Sequence, residues 1–236
     1  MKRLKDDFLK KIEKQVPLKS KDILEVGCGE GTRTQAISKL CRNVTAIDPD
    51  AALIKKAKEL QINNARFAVG NANALSYENQ AFDIVLFTLS LHHISPDKMD
   101  AAIKEACRVV RPDGRIIFFE PAFTGTFFEA ELTFDACDGD ERAQKAFAYY
   151  SMLVSRHIIE IAELPDETIF QFDSVEDFIA SMKPKKDLGL IKMFLESHNF
   201  ILSASRRINI FTPAKSPADK PKGTFVRALN KRPNTC

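Results

Sequence analysis

Apolar residues recur along this chain in two rhythms that alternate. Short runs rich in β-branched and aromatic residues predict five buried strands: Ile23-Leu24-Glu25-Val26, Val44-Thr45-Ala46-Ile47-Asp48, Arg66-Phe67-Ala68-Val69, Phe82-Asp83-Ile84-Val85-Leu86-Phe87 and Ile116-Ile117-Phe118-Phe119. Between them the spacing is helical. Ala36, Ile37 and Leu40 share one face, a second helix runs from Ala51 to Leu60, and Pro96 opens a third that turns Met99, Ile103, Ala106, Cys107 and Val110 inward. Strand and helix alternating in this way predict a doubly wound, mostly parallel α/β sheet that binds ligands at the carboxyl ends of its strands.

The rhythm changes at both ends of this core. Residues 2–15 read as an amphipathic helix with Leu4, Phe8 and Ile12 on one stripe, ending before Pro17. After Pro121 the alternation stops. The stretch to Lys186 reads as largely helical, with Phe147, Tyr150, Leu153, Val154, Ile158 and Ile161 as its apolar residues, and a long excursion from a strand tip predicts a substrate cover. Sheet logic resumes with a helix at Leu188–Glu196, a strand at Ile201–Phe211 and a second strand at Gly223–Leu229, expected as an antiparallel hairpin. The expected organisation is thus an N-terminal helix (1–21), a binding core (22–121), a helical insertion after the fifth strand (122–186) and a closing helix with hairpin (187–236).

The first strand runs into a glycine turn. Gly27, Gly29 and Gly31 follow Glu25 at every second position, in the pattern E-x-G-x-G-x-G. Glycine permits positive φ and leaves no Cβ in the way of a ligand, and Thr32 can cap the helix beyond, whose N-terminus attracts an anion. A dinucleotide turn needs G-x-G-x-x-G, which would put the third glycine at position 32, where Thr32 stands. Asp48 closes the second strand before Pro49, 21 residues beyond Gly27 and close to the spacing at which an acidic side chain meets a ribose.

Bulk properties narrow the class. With 236 residues, 44% hydrophobic and 28% charged, the chain has an ordinary globular composition. No apolar run approaches the ~18 residues of a membrane span, and no signal peptide is read at the N-terminus, so a cytoplasmic protein is expected. The net charge of +3 conceals basic ends: eight Lys/Arg against three acids in residues 1–21, eight against one in 206–236, and nineteen against twenty-eight between. Such ends are more often solvated than bound to nucleic acid. The five cysteines show no CxxC or Cys/His ligand spacing, so neither a disulfide framework nor a metal site is expected.

Together, Glu25-Val-Gly-Cys-Gly-Glu-Gly, Asp48-Pro49, Gly70-Asn71-Ala72, Phe82-Asp83-Ile84-Val85, Leu91-His92-His93-Ile94 and Arg108-Val-Val-Arg-Pro-Asp-Gly-Arg115 resemble the class I S-adenosylmethionine-dependent methyltransferases, in particular their small-molecule branch. The likeness is strong over residues 22–121 and topological over 187–231. It implies a Rossmann-like, mostly parallel sheet of seven strands and S-adenosylmethionine as cofactor, with S-adenosylhomocysteine as product. By the same resemblance Gly27, Cys28 and Gly29 would admit the methionine part of the cofactor, and Glu25 would lie near its ammonium, directly or through water. Asp48, followed by Pro49, would accept from the ribose hydroxyls, Asn71 would stand where aspartate is usual beside the adenine amino group, and Ala72 would offer its N–H to the ring.

Methyl transfer from a sulfonium needs alignment above all, and a base only where the acceptor must lose a proton. His92 is the candidate base, with structural or turn roles for the pair His92-His93 ranked ahead of catalysis. Clues to the acceptor are few. Glu129, Glu131, Asp135, Asp138, Asp140 and Glu141 put six acids in thirteen positions, a run that suits a cationic acceptor or a solvated face. The expected partner is a small-molecule acceptor, for a monomer or homodimer. An amino-directed nucleic-acid enzyme is disfavoured because Phe87-Thr88-Leu89-Ser90 replaces its Asn/Asp-Pro-Pro-aromatic tetrad. A nucleic-acid or protein methyltransferase using the basic termini and a non-catalytic S-adenosylmethionine-binding regulator remain as alternatives.

Overall fold

The protein is described by a computed structural model over residues 1–214. Five strands form the parallel part of the sheet: β2 (Asp22–Val26), β3 (Asn43–Asp48), β4 (Ala65–Val69), β5 (Phe82–Thr88) and β6 (Val110–Pro121). Helices α2 (Thr32–Ser38), α3 (Ala51–Glu59) and α4 (Pro96–Val109) connect them. Three further strands, β1 (Lys2–Asp6), β7 (Ile158–Gln171) and β8 (Ile201–Pro213), extend the sheet antiparallel beyond β6, giving the order β1-β7-β8-β6-β5-β2-β3-β4. The fold is the expected doubly wound α/β class, with eight strands among the described residues where seven were expected.

Alternation along the buried strands divides the core into two faces. Leu24, Val26, Phe87, Phe118 and Phe211 pack on one side, under α4 and the later helix α6 (Arg142–Val154). Ile23, Ile84, Phe119, Ile208 and Ile210 pack on the other, against Phe8, Ile12, Ile37 and Ile54. Phe8 stacks on Phe119 with ring centres 4.3 Å apart. A third cluster joins α5 (Thr126–Phe134), α7 (Val175–Met182) and α8 (Ile191–Ser197) to the far ends of β7 and β8.

Two elements differ from the sequence expectation. The N-terminal helix is shorter, α1 (Phe8–Glu13), and Lys2–Asp6 instead form β1, an edge strand paired with β7. Leu4 is 54% exposed, so it never joins the stripe of Phe8 and Ile12. The charged side chains of β1 suit an edge, and the terminal ammonium anchors it to Asp177 at 2.5 Å.

The second difference lies in 122–186, which holds α5, α6 and α7 but also the 14-residue strand β7. Ile161, taken for a helical core residue, is 52% exposed on that strand. Pairing with β8 from Ile158 to Gln171 decides the matter over local periodicity. Pro165 is tolerated because β1 stops at Thr168, so no neighbour on that side needs its N–H. The antiparallel partners of β8 are therefore β6 and β7; the strand expected at 223–229 lies outside the described residues. Arg111-Pro112-Asp113-Gly114, a turn by composition, forms an irregularity inside β6, where pairing jumps from Phe82↔Val110 to Ile84↔Arg115.

Candidate active site

The glycine turn after β2 is fixed by contacts that exclude side chains. Gly27 adopts φ +81°, and a Cβ there would meet the Ser90 Cβ at 2.2 Å. Gly31 is also left-handed and occupies the cap position of α2 itself, so Thr32 is the first helical residue and makes no side-chain cap. Gly29 differs: a Cβ built on it meets nothing within 4 Å, so its backbone borders open space. The turn is tied to β3 by Gly27 N and Cys28 N, which donate to the Ile47 carbonyl at 2.8 and 3.0 Å.

Asp48 stands beside this turn at the end of β3. Its Oδ2 accepts from Gly29 N at 2.9 Å and its Oδ1 from Asp50 N at 2.9 Å. Each oxygen retains a lone pair for a further donor. A cleft of about 520 Å³ opens here, lined by Asp48, Pro49, Asn71, Ala72, Ser90 and His93 among others. Four expected cofactor contacts thus converge on one cavity. Leu89, at φ +55° directly after β5, turns the chain so that Ser90 Oγ donates to the Val26 carbonyl at 2.7 Å. Leu89 and Ser90 are wall residues with no motif of their own to announce them, and His93 of the histidine pair joins them there.

Glu25 and Cys28 are not on the cleft wall. Glu25 is fully buried beneath the turn, accepting from Thr34 Oγ1 at 2.6 Å and Thr88 Oγ1 at 3.0 Å. Burial raises its pKa, against the opposing pull of the two hydroxyls. Cys28 is buried too, and desolvation pushes its thiol well above the ordinary range, which leaves it inert as a nucleophile.

The histidine pair lies in a short 3-10 turn, Leu91–His93, after β5. His92 is 4% exposed, and its Nδ1 lies 2.5 Å from Oε2 of Glu120, at the end of β6. Glu120 Oε1 also accepts from Ser90 N and Leu91 N, both at 2.9 Å. Burial works to raise the Glu120 pKa, yet the His92 imidazole and the two amides outweigh it and hold the carboxyl below its usual value. Against an ionised carboxylate, which only accepts, Nδ1 is the donor of this contact. Nε2 faces Glu141 of the insertion at 3.8 Å, away from the cleft.

His93, half exposed, is the imidazole on the cleft wall; desolvation and its neighbour His92 lower its pKa. Glu120 was missed by sequence reasoning, although an acid ending a buried run before Pro121 was a visible signal.

Three of the six acids in the insertion's acidic run are engaged within it. Lys145, buried in α6, reaches Glu131 at 3.3 Å and Glu141 at 3.5 Å, and Asp140 pairs with Arg142 at 2.6 Å. This internal pairing withdraws those three from the run that suited a cationic acceptor. His92, His93 and Glu141 do bring three possible metal-ligating atoms within 4.8 Å of one another, a grouping that sequence spacing does not show. Lys145 already supplies positive charge to Glu141 there.

With this geometry in place, comparison with known proteins gives a consistent result. Residues 24–118 match the family profile described as a methyltransferase domain. Over 114 residues the chain is 35% identical to the ubiquinone biosynthesis O-methyltransferase of Coxiella burnetii, a match covering 47% of each protein. Over 127 residues it is 30% identical to the ubiquinone/menaquinone biosynthesis C-methyltransferase UbiE of Rickettsia massiliae, covering 49% of each. The chain thus spans about half the length of the curated relatives it matches. In fold it is similar to the solved BH2331 protein of Bacillus halodurans C-125, with a TM-score of 0.65 at 16% identity, over 88% of this chain and 99% of that one.

Proposed function

We propose that this chain, whose residues 24–118 form a class I methyltransferase domain, binds S-adenosylmethionine and transfers its methyl group to an oxygen, nitrogen or carbon nucleophile of a small molecule. The observation that carries this reading is the convergence of Asp48, Pro49, Asn71 and Ala72 on one cleft beside the glycine turn. The residues present fit the cofactor. Gly29 leaves its backbone side open, and Asp48 keeps acceptor capacity toward ribose hydroxyls after binding Gly29 N and Asp50 N.

Once bound, the cofactor supplies a methyl group on a positively charged sulfur that leaves readily. What remains for the protein is alignment, worth roughly 7–11 kcal/mol in favourable cases. Asp48 and Asn71 anchor the nucleoside end, while the turn closes on the methionine end. Where the acceptor must lose a proton, His93 is the imidazole placed to take it, its depressed pKa favouring the neutral form that can accept one. His92, the candidate base behind a structural role, has its Nδ1 bound to Glu120 and positions its neighbour, with ring centres 4.1 Å apart. The substrate cover reduces to residues 122–157, because β7 belongs to the sheet.

Calorimetric titration tests the donor: S-adenosylhomocysteine binds and NAD does not. A screen of small-molecule hydroxyl, amine and activated-carbon acceptors with labelled cofactor then identifies the product. Heat from NAD and none from S-adenosylhomocysteine would overturn the reading.

A further inference from the structure

At the carboxyl end of β6, on the sheet face opposite His92, three arginines gather around one aspartate. Arg33, in the first turn of α2, reaches Asp6 Oδ2 through Nη2 at 3.3 Å, and Arg3 approaches the same oxygen at 3.9 Å. Arg206 of β8 lies opposite Pro121 of β6 and Asp166 of β7 in the ladder. It shares its face with Ile208, on the side of Phe8 and Phe119. The Arg33 guanidinium stands over those two rings, 5.8 and 5.4 Å from their centres.

These groups are under-satisfied. Asp6 Oδ1, Arg33 Nε and Arg206 Nε are all buried without a hydrogen-bond partner. Among the described residues the Arg206 side chain has neither a hydrogen bond nor an ion pair, and its Nε is buried. Two other carboxylates act on it, Glu131 and Glu120, and they are committed to Lys145 and His92. Burial, joined by repulsion from Arg33, lowers the Arg206 pKa to about 10. Asp166, paired with Lys11 at 2.8 Å, does not reach it. A buried guanidinium in this condition calls for an anion, and its planar fork matches a carboxylate.

We propose that Arg33 and Arg206, steadied by Asp6, form a carboxylate-binding site at the end of β6, whose ligand is the carboxylate of an acidic methyl acceptor or that of the cofactor's amino-acid end. The placement suits the reaction, for the arginines and the histidine pair flank the same strand end from opposite faces. The inference rests on the methyltransferase reading and names the charge of what that site receives.

Calorimetry on the full chain and on Arg206→Met, with Arg206→Lys as the charge-retaining control, decides it. The probes are S-adenosylhomocysteine, and sodium benzoate with neutral benzamide as its control, the latter pair titrated with S-adenosylhomocysteine present. If the acceptor supplies the carboxylate, benzoate binds and benzamide does not, and Arg206→Met weakens benzoate by about 10-fold or more. In that case S-adenosylhomocysteine stays within about twofold. If the cofactor supplies it, the S-adenosylhomocysteine affinity falls by that factor. Arg206→Lys retains part of the affinity in either case. Affinities for both probes within about twofold of wild type in Arg206→Met would overturn the site, and so would a drop in its melting temperature with no change in binding. Failure of wild type to bind S-adenosylhomocysteine is a separate result, which sinks the methyltransferase reading instead.

Discussion

Two glutamates, each almost wholly removed from water, sit near the ends of strands in the same sheet, and their environments push them in opposite directions. Glu25, under the glycine turn, meets only the hydroxyls of Thr34 and Thr88, and burial dominates to raise its pKa. Glu120, on the acceptor side, meets an imidazole and two backbone amides, and these outweigh burial to lower it. A hydroxyl can donate or accept, so it tolerates either form of a carboxyl; an amide can only donate, so it favours the charged one. The donor side is therefore a locally satisfied support whose carboxyl is pushed toward its neutral form, while the acceptor side is a charged network spanning β6, the histidine turn and α6.

The largest expected effect lies in that network. Glu120→Ala strips the acceptor from Ser90 N, Leu91 N and His92 Nδ1 at once, leaving buried donors unpaired. Removing one partner from a buried ionic contact costs about 3–5 kcal/mol, and urea denaturation reads this directly. Turnover falls with it, because the imidazole pair loses its anchor. A loss under about 1 kcal/mol would mean that Glu120 is no ionic centre, and the contrast with Glu25 would break.

The same division separates what the sequence discloses from what it conceals. Each parallel strand is a continuous apolar run, so β2 to β6 are legible one by one, and Asp48, Pro49, Asn71 and Ala72 are legible because each sits at the tip of such a run. Strand β7 carries Glu160, Glu163, Pro165, Asp166 and Glu167 among its apolar residues, and only its ladder with β8 makes it a strand. Charged β1 is concealed for the same reason. The acceptor-side groups are worse placed still. Glu120 lies 28 residues from His92 and Asp6 lies 27 from Arg33, in elements that only tertiary packing brings together. Local patterning reads backbone geometry and misses ion pairs between distant segments.

An intermediate effect tests the cleft. Asp48→Ala removes the carboxylate expected to hold both ribose hydroxyls, and bonds to a charged group are worth about 1.5–3 kcal/mol. S-adenosylhomocysteine affinity should fall roughly 10- to 100-fold by calorimetry. Part of the loss reflects the released Gly29 N, whose bond to Asp48 shapes the turn. Asp48→Asn, which keeps one acceptor oxygen, sharpens the assignment by losing less. Unchanged affinity in the alanine variant would remove Asp48 from the site.

The smallest effect is the most discriminating, because its sign depends on protonation. Thr88 Oγ1 has one proton and two acceptors at 3.0 Å, Glu25 Oε1 and the Gly27 carbonyl. A protonated Glu25 resolves the conflict by donating to Thr88, which then donates to Gly27. Glu25→Gln keeps an acceptor oxygen for Thr34 and adds an amide donor that can serve Thr88, so its stability at pH 7 should lie within about 1 kcal/mol of wild type. The pH dependence follows from linkage. A carboxyl whose folded pKa is raised contributes stability that is fully present below its unfolded value, near 4.3, and is lost as pH rises through the folded value. Wild type should therefore gain on Glu25→Gln as the solution is acidified through that window, as read by urea midpoints. Glu120, with its folded pKa lowered, runs the other way: its contribution is present above about 4.3 and is lost as pH falls through the folded value. Wild type should accordingly lose its advantage over Glu120→Gln in acid. Parallel pH profiles for the two glutamine variants would show that the two carboxyls share one charge state, against the opposite shifts their partners impose.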